Sequence, residues 1–276
     1  MRLGHSPDPD DAFMFYALAK DKIDPGGFRF EHVLRDIETL NRWAMEGRLE
    51  ITAISVYAYS QLSDTYRLLP HGASMGEQYG PIVVARENLD PATLPSLRVA
   101  IPGTMTSAFL ELQLAVGKIM DPVIVEFDKI LDVVESGEVD AGLVIHEGQL
   151  TYQTQGLVSI LDLGVWWHEL TGGLPLPLGA NAVRRDLGED VMTRLSHVLR
   201  ESIAYGLDHR TDALAYAAEY GRGLDDPLAD KFVGMYVNER TLDYGPEGRE
   251  AIAELLRRGV EAGLIDHAVP VDFVED

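Results

Sequence analysis

Not one of the 276 residues is a cysteine, which removes disulfides, thiolate catalysis and cysteine-ligated zinc or iron–sulfur clusters. Basic residues are scarce too: 23 Lys and Arg stand against 45 Asp and Glu, a formal net charge of −22. A field of that sign repels nucleic acid and anionic membrane surfaces, so neither is expected as a partner. A small anionic substrate would then need a local positive site. No apolar run reaches the length of a membrane span, and the opening Met1-Arg2-Leu3-Gly4-His5-Ser6 has no apolar core of signal-peptide length. The expected location is the cytoplasm.

With 46% hydrophobic and 25% charged residues, the composition is that of an ordinary globular protein, long enough for one large or two modest domains. The most informative stretch is Ala141-Gly142-Leu143-Val144-Ile145-His146-Glu147-Gly148. Its small and apolar run reads as a strand buried on both faces, ending on a histidine, an acid and a glycine. In open α/β sheets the ligand crevice lies outside the C-terminal strand edges, where imidazole suits proton abstraction near neutrality. Glu147 would orient the ring or raise its basicity if it folds back. The other reading of His146 is a strand cap bonded to a backbone carbonyl.

Strands and helices alternate along the first two-thirds of the chain: strands at 2–6, 28–33, 50–55, 81–86, 97–101, 123–127 and 141–146, helices at 12–18, 37–48, 56–62, 108–118 and 130–136. This pattern predicts a parallel, doubly wound α/β fold. Residues 87–95 read as a surface link, and Gly173-Leu174-Pro175-Leu176-Pro177-Leu178-Gly179 as a stiff return before a short strand at 180–184. Two lobes are therefore expected: a discontinuous larger one, 1–86 with 180–276, and an inserted α/β lobe, 87–179. Two crossings make a hinge around a cleft. The helical remainder, 189–263, reads as scaffold.

Ser55 ends a strand in the first lobe. In the second, Thr106 and Ser107 stand where a helix begins, where hydroxyls and free N–H groups can hold a carboxylate; a plain N-cap accounts for only one of them. The opening turn Ser6-Pro7-Asp8-Pro9-Asp10-Asp11 faces the same cleft mouth, with Asp10 or Asp11 expected as N-cap of the first helix. Its aspartates lack the glycine and distal ligand of a calcium loop, and no metal is expected.

The opening through Tyr16, the Asp36-Ile37-Glu38-Thr39-Leu40-Asn41 box, Pro102-Gly103, Thr106-Ser107-Ala108, Ile145-His146-Glu147, and Pro175-Leu176-Pro177-Leu178-Gly179 with Arg184-Arg185-Asp186-Leu187 together resemble the menaquinone-biosynthesis family. They do so in the same order over nearly the whole chain. The resemblance implies a periplasmic-binding-protein type 2-like fold without a secretion signal. It also implies a lyase that takes cyclic dehypoxanthine futalosine, releases its sugar-derived fragment and leaves a dihydroxynaphthoate, with no cofactor. By the same resemblance the proton acceptor falls on His146 and substrate contacts on Ala53, Ile54, Ser55, Ser107 and Ala108. The implied partner is a small-molecule carboxylate, and a homodimer is a further expectation. One departure stands out: that branch of the family usually reads Ser-Pro-Cys-Pro-Asn-Asp-Thr-Phe, and here Asp8, Asp10 and Ala12 replace the cysteine, asparagine and threonine. A chorismate dehydratase of the same pathway and a non-catalytic carboxylate binder are the competing readings.

Overall fold

Two mixed sheets organise the chain, of which the computed structural model describes residues 1–220 and 226–275. The chain opens with β1 (Arg2–His5), α1 (Pro9–Met14), α2 (Tyr16–Ala19), β2 (Glu31–Leu34), α3 (Ile37–Met45), β3 (Ile51–Ser55), α4 (Val56–Tyr59), β4 (Tyr66–Leu68) and β5 (Ser74–Gly76). It enters the second sheet at β6 (Ile82–Ala85). There it builds β7 (Arg98–Ile101), α5 (Ser107–Val116), β8 (Asp121–Ile124), α6 (Ile130–Ser136), β9 (Ala141–Val144), α7 (Gly148–Thr151), β10 (Val158–Asp162) and α8 (Leu163–Thr171). β11 (Leu176–Arg184) returns to the first sheet. After it come α9 (Glu189–Asp208), α10 (Arg210–Ala218), α11 (Asp226–Tyr236), α12 (Glu239–Leu242) and α13 (Gly245–Glu261).

The first sheet runs β2-β1-β3-β11-β4, with β5 also on β11, and the second β10-β6-β9-β7-β8. β1 is parallel to β2 and β3, and β7 to β8 and β9. The strands that cross between lobes run the other way: β11 is antiparallel to β3, and β6 to β9. Their registers say why. Gly179 pairs with Ser55 and Ile82 with Val144, so each crossing strand meets the end of a parallel strand, β6 at its first residue and β11 at its fourth. Parallel strands present their C-terminal edges to the cleft, and a chain arriving across that cleft must run away from it.

The expected lobe boundaries need correction. β6 is hydrogen-bonded to β9 and β10, so the first crossing lies between Gly76 and Ile82, not after Arg86. The return precedes Leu176, because β11 already pairs with β5 at that residue. A buried Ile-Val-Val-Ala strand looks the same in either sheet, and only its partners assign it.

Local signals that face the cleft are obeyed. Asp36 caps α3, its carboxylate accepting from Thr39 N at 3.0 Å. α5 is buried on almost every side, and its Leu110 and Leu112 belong to one apolar cluster that also holds Ile54 and Tyr59 of the first lobe and Leu143 and Trp167 of the second. That shared core joins the lobes at the base of the cleft. Gly142 lets α6 approach β9: a Cβ there would stand 2.6 Å from Ile130 Cγ2 and 2.7 Å from Val134 Cγ2. Among the described residues, no helix is long and apolar enough to cross a membrane.

Candidate functional site

Both lobes line one cavity, whose space with the open mouth included is about 770 Å³. Ala53, Ile54 and Ser55 from the end of β3 meet Thr106, Ser107 and Ala108 from the start of α5 there. The opening turn adds Ser6, Asp8, Asp10 and Asp11. Sequence reasoning missed Ser74 from β5 and Phe232 and Tyr236 from α11. The helical remainder is thus more than scaffold, since an apolar face at helical spacing signals burial but not which surface it meets.

Ser55 is held on both sides of its α-carbon. Asn41, fully buried in α3, donates from Nδ2 to Ser55 Oγ at 3.0 Å and accepts from Ser55 N through Oδ1 at 2.9 Å. The same helix reaches the other lobe, where Glu38 Oε2 accepts from Met105 N at 3.0 Å. Removing either side chain would strand buried backbone groups.

Thr106 is the N-cap of α5, accepting from Phe109 N at 3.3 Å, so the plain cap reading holds for one of the two hydroxyls. The Ser107 hydroxyl is not spare. It donates to Leu178 O and accepts from Tyr57 N at 3.2 Å, tying the second lobe to β11 and α4 of the first. The capacity left for an anion is backbone: the N–H groups of Ser107 and Ala108 precede the first intrahelical donor, and no acidic residue stands in that turn.

The first lobe's contribution from the opening turn is acidic. Asp8, not Asp10 or Asp11, is the N-cap residue of α1, and its side chain makes no capping bond; Pro9 fills the first helical position, which places the helix start three residues earlier than the expected Ala12. Asp11 Oδ2 accepts from Ser6 N at 2.6 Å and Asp8 Oδ2 from Ser6 Oγ at 2.5 Å, which folds the turn. Asp10 is enclosed on most sides yet keeps surface open to the cavity. Burial pushes its carboxyl up to about 7, with the charges of Asp8 and, across the cleft, Glu147 acting the same way. Asp11 is raised well above the ordinary range by burial and then by Asp10.

The strand expected to end on His146 ends at Val144, two residues short of it, and of the two residues that follow it is Ile145, not His146, that lines the cavity. His146 Nε2 is 2.6 Å from Phe127 O, Nδ1 accepts from Gly148 N at 2.8 Å, and Glu147 Oε2 is 3.6 Å from Nδ1. That network requires the neutral tautomer protonated on Nε2, the arrangement of the carbonyl-bonded strand cap. The lone pair of Nδ1 is the ring's basic position. His5, the other histidine near the turn, is a poor base: burial and then His32 depress it to about 3.

Comparison with known proteins covers nearly the whole chain. A family model described as menaquinone biosynthesis matches residues 1–261. A protein of Thermus thermophilus named 1,4-dihydroxy-6-naphthoate synthase is 47% identical over 96% of this chain and 95% of its own length. A Streptomyces coelicolor protein of the same name is 37% identical over 96% and 94%. A crystal structure from Archaeoglobus fulgidus superposes with a TM-score of 0.91 at 47% identity, covering 96% of this chain and 98% of that one. A Candida albicans protein described as having the generic periplasmic binding protein fold shares the architecture alone, with a TM-score of 0.68 at 11% identity over 100% and 97% of the two chains.

Proposed function

Because this chain belongs to the menaquinone-biosynthesis family, we propose that it is a 1,4-dihydroxy-6-naphthoate synthase. In this reading it is a lyase that takes cyclic dehypoxanthine futalosine, releases the sugar-derived fragment and leaves the dihydroxynaphthoate in the cleft between its lobes. The observation that carries the reading is identity of 47% over nearly all of a relative that bears this name. The lobed cavity supports it, with backbone donors from one lobe and carboxyls from the other.

In this proposal His146 accepts the proton through Nδ1. Three features support the role. Nδ1 already acts as an acceptor, the residue adjoins the cavity wall at the end of β9, and Glu147 stands close enough to hold the imidazolium that forms. Acting as a base requires the Gly148 N–H to give way, so the start of α7 must shift when substrate enters. Ser55, Ser107 and Ala108 position the substrate, with Asn41 fixing Ser55.

Incubating purified protein separately with cyclic dehypoxanthine futalosine and with chorismate, and identifying products by mass spectrometry, tests the assignment. Dihydroxynaphthoate from the first alone supports the synthase; conversion of chorismate alone makes it the dehydratase, and binding without turnover a carboxylate-capturing protein. A cytoplasmic location and a homodimer belong to the same proposal, the first resting on the biosynthetic role. Cell fractionation and sedimentation velocity test them.

A further inference from the structure

The two lobes contribute polar groups to the cavity that differ in what they offer a ligand. On the second lobe, α5 presents the N–H groups of Ser107 and Ala108 with no acidic side chain in its first turn. On the first lobe, Asp8, Asp10 and Asp11 face the same space, and Glu147 lies near Asp10 from across the cleft. A substrate carboxylate against that wall would meet only like charge, whereas hydroxyl groups would find acceptors there.

The three aspartates are not equivalent. Asp8 and Asp11 are committed to Ser6, which shapes the turn. Asp10 has weaker ties: the Ser74 hydroxyl at 3.4 Å, at the long limit of a hydrogen bond, and the N–H groups of Asp10 and Asp11 nearby. A second unfilled group lies one hydrogen bond from the cavity. Tyr236, in the wall, donates to Gln149 Oε1 at 3.0 Å, and the buried Gln149 Nε2 has no partner among the described residues. Of the polar groups on this side of the cavity, Asp10 thus keeps the most capacity to take a hydroxyl, with Gln149 lying behind Tyr236 rather than in the wall.

Resting on the synthase reading, we propose that Asp10 binds the hydroxyl-bearing, sugar-derived end of the substrate, while the start of α5 takes the carboxylate end, so that the cleft admits the substrate in one orientation. The groups facing Asp10 that carry or can carry charge are Asp8 and Asp11 beside it, Glu147 from the second lobe and Tyr236 from α11. Burial raises the Tyr236 phenol, so it stays a neutral donor near neutrality. Because burial raises its carboxyl, Asp10 can carry a proton closer to neutrality than an ordinary aspartate, and in that form it donates to one hydroxyl while accepting from another.

The dihydroxynaphthoate product lacks the sugar-derived fragment, which separates the two sets of polar groups experimentally. The test measures the KM for cyclic dehypoxanthine futalosine and the inhibition constant of the dihydroxynaphthoate at pH 7 in wild type, Asp10→Ala and Asp10→Asn, with thermal melting to confirm folding. Asp10→Ala is expected to raise KM about tenfold, the usual effect of losing a hydrogen bond to a charged or charge-sharing group. The product's inhibition constant should stay within about twofold, and Asp10→Asn, which keeps one donor and one acceptor, should recover most of the KM. Equal weakening of substrate and product, or an unchanged KM in Asp10→Ala, overturns the proposal while leaving the synthase reading intact. A wild-type protein that does not turn the substrate over overturns both.

Discussion

Replacing Asp10 by asparagine should stabilise the protein above neutrality and change little in acid. The carboxyl rises from its ordinary 3.8 to about 7 in the folded protein, first through burial and then through Asp8. Below about pH 3 the group is protonated both folded and unfolded, and the fold carries no charge penalty there. As pH rises toward 7 the unfolded chain ionises freely while the folded one resists, so stability is lost across that window and stays lost above it. The gap of about three pH units corresponds to about 4 kcal/mol as an upper bound. Because Asp10 keeps surface open to the cavity and shares its proton equilibrium with Asp8 and Asp11, about 1–2 kcal/mol is the figure we expect to see. Asparagine has nearly the same shape and no charge to bury. Thermal denaturation of both proteins at pH 3, pH 5 and pH 8 checks this, with Asp10→Asn melting several degrees higher at pH 8, by less than half as much at pH 5, and the two nearly coincident at pH 3. A variant equal to or less stable than wild type at pH 8 would refute the reasoning, and would mean that the carboxylate is stabilised by contacts stronger than Ser74 and the neighbouring N–H groups.

Three further substitutions probe the cleft. His146→Asn should lower kcat by about two to four orders of magnitude with the fold intact by circular dichroism, since asparagine cannot take up a proton; near-wild-type turnover would remove His146 from the chemistry. Ser107→Ala breaks the hydroxyl's bonds to Leu178 O and Tyr57 N, and should cost about 1 kcal/mol of stability by chemical denaturation and raise KM more than it lowers kcat. Asn41→Ala leaves Ser55 without its two partners, and should destabilise by about 1–3 kcal/mol while raising KM, with melting and steady-state kinetics as the two readings.

Much of the fold is legible in the residues, and the exceptions share a cause. Helix Ile130–Ser136 and the Asp36 cap come directly from apolar spacing and a capping side chain, because both are local. The two-crossing topology is equally legible in the order of its strands. What fails is whatever depends on a distant partner. The short strands Tyr66–Leu68, Ser74–Gly76 and Val158–Asp162 have too few residues to show a period, and Ile82–Ala85 shows burial without saying which sheet buries it. At the site, the residues of both lobes that carry the family resemblance converge on one cavity, yet Ser107 turns out to brace the lobes and Ile145 rather than His146 reaches the wall. Tyr236 and Phe232 come from a helix whose pattern advertises nothing but an apolar face.

The claim on which the rest depends is that the reaction occurs in the cleft between the end of β3, the start of α5 and the opening turn. A crystal structure of His146→Asn with cyclic dehypoxanthine futalosine bound tests it most directly. The account predicts substrate density in this cleft, its carboxylate about 3 Å from the N–H groups of Ser107 and Ala108 and its sugar-derived hydroxyls toward Asp10. Substrate bound outside the cleft, or with its carboxylate on the aspartate wall, would contradict it.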